Sequence, residues 1–160
     1  MVSLSQGFCQ KLDGNSTDSR QAVGFDNGHG AVKAVIDSVP VRFPSYVCPD
    51  FQTDSVDEFP GLVEIHGRKF LTGESAEFTP GMVRTADNES RKAEYALPML
   101  LGAVARLPYR PQWNLKVVAS AQSAEVRSQL PDRLNGEYEV ILNNRDRVVV
   151  KIQVLATVPE

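Results

Sequence analysis

Apolar residues in this chain fall into short runs separated by turn chemistry, and the character of the runs changes twice along its length. The first 20 residues carry no period at all: Asp13-Gly14-Asn15-Ser16-Thr17-Asp18-Ser19 is polar and turn-rich, which predicts a mobile tail over 1–20. Between residues 21 and 36, two runs rich in Val and Ala flank the insert Asp26-Asn27-Gly28-His29-Gly30. That spelling predicts a β-hairpin, because Asn-Gly supplies the positive φ angles that tight hairpin turns require. Residues 39–43 read as a third strand stopped by Pro44, and 49–60 as an acidic, irregular loop. Leu62–Ile65 and Arg68–Thr72 face each other across His66-Gly67, a second hairpin signature, and Thr79-Pro80-Gly81 is a turn. The stretch from about residue 50 to 88 therefore reads as a small insertion standing apart from the main sheet.

The pattern then switches to helical. Over residues 90–107, Ala96, Leu97, Met99, Leu100, Leu101, Ala103, Val104 and Leu107 leave little polar face, which predicts a buried helix ended by Pro108 and Pro111. Pro98 either kinks that helix or marks the first turn of its buried part. Residues 115–119 form an apolar run suited to a central strand, and 123–130 a short helix capped by Ser123. Residues 138–142 and 147–157 flank Asn143-Asn144 as a last hairpin. Three antiparallel strands, a buried helix, a strand, a helix and a closing hairpin describe an α/β chain with a mixed sheet.

Composition narrows the setting more than the function. With 160 residues, 42% of them hydrophobic and 23% charged, the chain can bury a full core as one domain. A formal charge of −3 suggests no surface for nucleic acid or membrane, and no apolar run approaches the length of a membrane span. No basic stretch followed by an apolar core opens the sequence, and Cys9 and Cys48 stand far apart, so reduced thiols in a cytoplasmic protein are expected. His29, His66, Cys9 and Cys48 never reach the spacing of a metal site, and the glycine-rich P-loop motif is absent. Arg91-Lys92 and Arg145-Asp146-Arg147 read as solvated faces.

The chemistry concentrates in the first hairpin. Asp26 closes one strand, Gly28 and Gly30 leave backbone N–H groups uncovered in the turn, and Lys33 follows on the next strand. Uncovered N–H groups make an anion nest, a nearby Lys adds positive charge, and a carboxylate can hold a hydrated cation. Phosphate together with magnesium is the ligand that uses all three.

Asp26-Asn27-Gly28-His29-Gly30-Ala31-Val32-Lys33-Ala34 resembles the first phosphate loop of the actin superfamily, with His29 where a small hydroxyl residue is usual. Phe43-Pro44-Ser45 and, later, Gly73-Glu74-Ser75-Ala76 follow in the order found in bacterial and archaeal actin-like proteins of the plasmid-segregation (ParM) type. The resemblance runs from about Val23 to Glu160 and departs from the pattern at Ala119-Ser120-Ala121-Gln122, where the family often has Gly-Leu-Pro.

The resemblance implies a ribonuclease-H-like fold, domain I of an actin-like ATPase over 21–160 with a small inserted subdomain. It implies a site for ATP or GTP formed by Asp26, Asn27, Gly28, His29, Gly30 and Lys33, with Asp26 holding Mg2+ through water. The backbone of residues 28–30 would wrap the β- and γ-phosphates, Lys33 would meet their oxygens, and His29 would touch the γ-phosphate or fill the loop. Glu160, after Pro159, occupies the place of the acid that orients the attacking water. The chain contains no second Asp-x-Gly phosphate hairpin and no Gly-Gly adenosine loop, so the resemblance covers an N-terminal half. Expected partners are the nucleotide, the C-terminal half of the same protein, further copies in a filament, and a plasmid-partition adaptor. The expected role is nucleotide-dependent filament assembly in plasmid segregation or a cytoskeleton. The alternatives are a non-polymerising ATPase of this fold, such as a sugar kinase or chaperone, and a non-enzymatic interaction module.

Overall fold

The computed structural model describes residues 19–160; Cys9 and nearly all of the expected tail lie outside the described residues. Among the described residues there are ten strands and three α-helices. The strands are β1 (Gln21–Asn27), β2 (Ala31–Ile36), β3 (Val39–Pro44), β4 (Tyr46–Pro49), β5 (Leu62–Ile65), β6 (Arg68–Thr72), β7 (Val83–Arg84), β8 (Gln112–Ser120), β9 (Gly136–Leu142) and β10 (Asp146–Val158). The helices are α1 (Glu89–Glu94), α2 (Ala96–Ala105) and α3 (Ala124–Leu134).

All ten strands form one mixed sheet in the order β3-β2-β1-β8-β10-β9-β5-β6-β4-β7. Among the described residues the parallel neighbours are β1 with β8 and β8 with β10; the other pairs are antiparallel. The middle stretch does not stand apart as its pattern suggested. β5 pairs with β9 through Val63↔Leu142 and Ile65↔Val140, which carries the ladder into the inserted strands. The alternation within 62–72 is too short to reveal which outer partner each strand takes, since pairing between distant strands leaves no mark on local spacing.

Hairpin turns follow the rule of positive φ at the expected His66-Gly67 and Asn143-Asn144, and also at Asp37-Ser38, but not in the first hairpin. Asp37 and Ser38 (φ 51° and 70°) join β2 to β3, and His66 and Gly67 (φ 50° and 79°) join β5 to β6. Both are two-residue turns with φ positive at each centre, the form that matches strand twist. Asn143 and Asn144 (φ 59° and 58°) turn β9 into β10. None of Asn27, Gly28 and Gly30 has a positive φ, so the first hairpin closes by another route.

The expected single helix over 90–107 is two helices broken at Tyr95, whose φ of −101° and ψ of 12° leave the helical region. Pro98 supplies the reason. A proline ring collides with the carbonyl four residues before it, and here that carbonyl belongs to Glu94, the last residue of α1. Pro98 thus sits in the first turn of α2, where a missing N–H removes no hydrogen bond. Nine of the ten residues of α2 are buried, which makes it the central rod of the core. It lies close on β6: a Cβ on Gly102 would stand 2.6 Å from Thr72 Oγ1. Helix α3 begins at the expected cap, Ser123 Oγ accepting the Val126 N–H at 3.3 Å, but runs through Pro131 to Leu134.

The helices cover one face of the sheet. Val23 and Phe25 of β1, Leu115 and Val117 of β8, and Val150 and Ile152 of β10 point into that core. The alternate residues, among them Gly24, Lys33, Val35, Val118 and Gln153, face outward and are exposed.

Candidate functional site

At one end of the sheet, cross-strand partners on the outward face line up in one row. Arg42 pairs with Lys33, Lys33 with Asp26, Asp26 with Ser120, and Ser120 with Val158, from β3 through β2, β1 and β8 to β10. This row crosses the C-terminal ends of the three parallel strands, the edge where open α/β sheets place ligands.

Strand β10 ends there and delivers Glu160 to Asp26. The two carboxyls stand in hydrogen-bonding contact. Glu160 is exposed overall, yet partial burial of its carboxyl raises its pKa above the ordinary value, and the Asp26 charge and the hydrogen bond raise it further. The Lys92 ammonium and the His29 ring pull the other way without reversing the shift. Asp26 is half-buried, and its Oδ1 is enclosed with no hydrogen-bond partner among the described residues.

The turn beside this pair is held from beneath. The Gly28 N–H donates to Ala31 O at 3.1 Å and closes the loop. A Cβ on Gly28 would meet Ala31 O at 3.1 Å and both Asp26 carboxylate oxygens at 3.6 Å, so glycine lets the turn fold under the acid. Ser45 Oγ donates to Gly28 O at 3.0 Å, Thr85 Oγ1 to Asn27 Oδ1 at 3.3 Å, and Asn27 Nδ2 to Lys92 O at 3.3 Å. These four side chains (Asn27, Ser45, Thr85 and Lys92) are all buried. The Asn27 side chain is therefore turned into the fold, and only its backbone faces the site.

Above the loop the surroundings are open. A Cβ on Gly30 would meet nothing within 4 Å, and among the described residues the N–H groups of His29 and Gly30 donate to no acceptor. His29 stands exposed at the loop tip rather than packing into it. Lys33 is exposed opposite Asp26 and enters no ion pair among the described residues. An orphaned carboxylate oxygen, a second acid in contact with it, two uncommitted N–H groups and a free lysine fit a hydrated divalent cation carrying an anionic ligand.

The structure thus brings Asp26, Gly28, His29, Gly30 and Glu160 together, with Lys33 as the next residue in the row. Reading the sequence missed Lys92. Taken as part of a solvated face, it is among the most completely buried side chains in the molecule. Its spacing carried a signal, since 92, 96, 99 and 103 fall on one helical stripe with Ala96, Met99 and Ala103, all core residues. Ser45 and Thr85 carried none. No helix among the described residues is long and apolar enough to cross a membrane.

The profile of the actin-like protein N-terminal domain matches residues 24–160. A comparison with curated protein sequences found no match. Among solved structures, an archaeal actin homologue superposes with a TM-score of 0.65 at 19% identity, over 87% of this chain and 45% of its own. A ParM filament subunit from Clostridium botulinum gives 0.64 at 17% identity, over 89% and 48%. ParM of Bacillus thuringiensis with AMPPNP gives 0.60 at 17% identity, over 87% and 44%. The chain spans about half the length of these structures. The likeness confirms the ribonuclease-H-like, actin-like fold that the phosphate-loop resemblance implied, with its mixed sheet. A match running from the first hairpin to the acid at Glu160 settles the family: the chain belongs to the actin-like proteins, as their N-terminal domain.

Proposed function

We propose that this domain binds ATP or GTP with magnesium at the Asp26–Glu160 pair and, joined to a C-terminal half, forms filaments that depend on the nucleotide. The observation that carries the reading is the contact between those two carboxyls beside the uncovered N–H groups of His29 and Gly30. Asp26 would hold magnesium through water, using the oxygen that has no protein partner. His29 and Gly30 would take the phosphate oxygens on their N–H groups, since the Gly28 N–H is already committed to Ala31. Lys33 would add a point charge from across the hairpin. Glu160 would orient the attacking water and accept its proton. Bound magnesium supplies charge neutralisation, and phosphoryl transfer needs little beyond that and positioning.

Filament assembly is supported by the fold shared with a ParM solved as a filament, and nucleotide binding by one solved with AMPPNP. A role in plasmid segregation or a cytoskeleton, with a partition adaptor and a cytoplasmic setting, follows the same family. The chain alone supplies one side of such a site, so it should bind weakly and hydrolyse little.

Thermal unfolding tests the binding step. Saturating Mg·ATP should raise the midpoint of this chain by mass action and leave Asp26→Ala unmoved. An equal response in both proteins would remove Asp26 from the site. For the filament, the domain joined to its C-terminal half should pellet and scatter light with Mg·ATP; a protein that never does so refutes assembly.

A further inference from the structure

The Gly28 carbonyl makes its hydrogen bond outside the hairpin to which it belongs. In an ordinary four-residue turn the first carbonyl accepts from the N–H three residues on, which here is Ala31. Among the described residues that bond is not made; the Gly28 carbonyl accepts from Ser45 Oγ at 3.0 Å instead. Ser45 is only 2% exposed, so this bond lies on the buried side of the loop. Ser45 is itself held in place. It follows Pro44, which pairs with Ala31 in the ladder, and its own carbonyl accepts the Thr85 N–H at 3.0 Å. The direction of the Gly28 carbonyl decides the direction of a donor. Gly28 and His29 share one planar trans peptide, in which C=O and N–H point opposite ways. A carbonyl drawn down to Ser45 therefore turns the His29 N–H up to the open side, where it donates to no acceptor among the described residues.

We infer that Ser45 is a positioning residue: its hydroxyl fixes the Gly28–His29 peptide in the orientation that aims the His29 N–H at an incoming phosphate. The inference rests on the reading of this loop as a magnesium–nucleotide site. Glycine has no Cβ to restrict rotation about its own bonds, so the orientation of this peptide has to be set from outside the loop. Ser45 sets it before the ligand arrives. Without the hydroxyl the peptide would rotate among orientations, including those that present the carbonyl oxygen to the anion. Donors fixed in advance need no ordering when the ligand binds, which favours the held loop over the released one. Phe43-Pro44-Ser45 thereby gains a task, because β3 ends at Pro44 and Ser45 reaches back under the loop.

The test is two-dimensional 1H–15N NMR of this chain and its Ser45→Ala and Ser45→Thr variants, titrated with Mg·ATP at a temperature where each is folded. Mg·GTP replaces it where ATP moves no amide. In the parent the His29 amide should move downfield as it gains a phosphate acceptor. Ser45→Ala should bind about tenfold more weakly, with a smaller His29 response. Ser45→Thr keeps the hydroxyl and should recover most of the affinity. A structural role alone would lower the thermal midpoint of Ser45→Ala but leave the affinity of the folded protein and its His29 shift as in the parent. That result overturns the inference and leaves the nucleotide site standing, as does a Ser45→Thr protein that binds no better than Ser45→Ala. Nucleotide that moves the Gly30 amide of the parent but not that of His29 overturns the inference whatever the variants do. Loss of folding in both variants assigns Ser45 a structural task and overturns it as well. A parent in which neither nucleotide moves an amide of the loop overturns the nucleotide site and this inference with it.

Discussion

Glu160 meets Asp26 carboxyl to carboxyl across a strand that separates them. Asp26 lies on β1 and Glu160 follows β10, while Ser120 of β8 stands between, in register with Asp26 on one side and Val158 on the other. Parallel pairing brings the three strand ends level, and a residue just past one strand reaches the acid on another. Like charges in contact oppose each other, and such arrangements are retained where protons or cations are handled.

That contact fixes the sign of a pH dependence. Burial and the Asp26 charge raise the folded-state pKa of Glu160 above its unfolded value. Below the ordinary glutamate value of about 4.3 the group is protonated in both states and adds nothing. As pH rises through the raised value, the folded state is increasingly disfavoured, and the deficit then stays constant. In denaturant melts, the stability of the parent minus that of Glu160→Gln should become more negative between acidic and neutral pH. A difference that moves in the parent's favour would contradict the contact.

The two loop glycines should respond differently to alanine. At Gly28 the added methyl would crowd Ala31 O at 3.1 Å, so Gly28→Ala should lose about 1–3 kcal/mol of stability. At Gly30 it would meet open space, so Gly30→Ala should change stability by less than about 0.5 kcal/mol. Neither position has a positive φ, so backbone strain does not enter. Gly30→Ala should nonetheless weaken Mg·ATP binding, because the methyl stands where phosphate would approach. Urea unfolding and nucleotide titration of both variants separate the two effects.

Asn27 is predicted to matter to the fold through its side chain. Asn27→Ala leaves the buried Lys92 carbonyl and Thr85 hydroxyl each without the partner that Asn27 supplied. The expected loss is about 1–3 kcal/mol, read as a lower urea midpoint with an unchanged slope. A variant as stable as the parent would mean that water replaces the amide.

How much of this was legible in the sequence depended on whether the information was local. The first hairpin, the cap at Ser123 and the turns at His66-Gly67 and Asn143-Asn144 are written in neighbouring residues, and the structure has each of them. The break at Tyr95 was half legible, because Pro98 forbids a continuous helix but does not say where the chain yields. The pairing of β5 with β9 and the burial of Lys92 depend on residues far away in sequence. At the site, Asp26, Gly28, Gly30 and Lys33 stand within one hairpin and could be read together. Glu160 was reached only through the family's order of segments. Lys92, Ser45 and Thr85 act beneath the loop, where no local pattern points.

The most direct measurement is isothermal titration of Mg·ATP into this chain and into Asp26→Ala. The account predicts weak binding that disappears in the variant, with the remaining affinity left to the half of the site that this domain does not supply. Binding of equal strength in both proteins would contradict it, because the nucleotide would then be held without the acid on which the site is built.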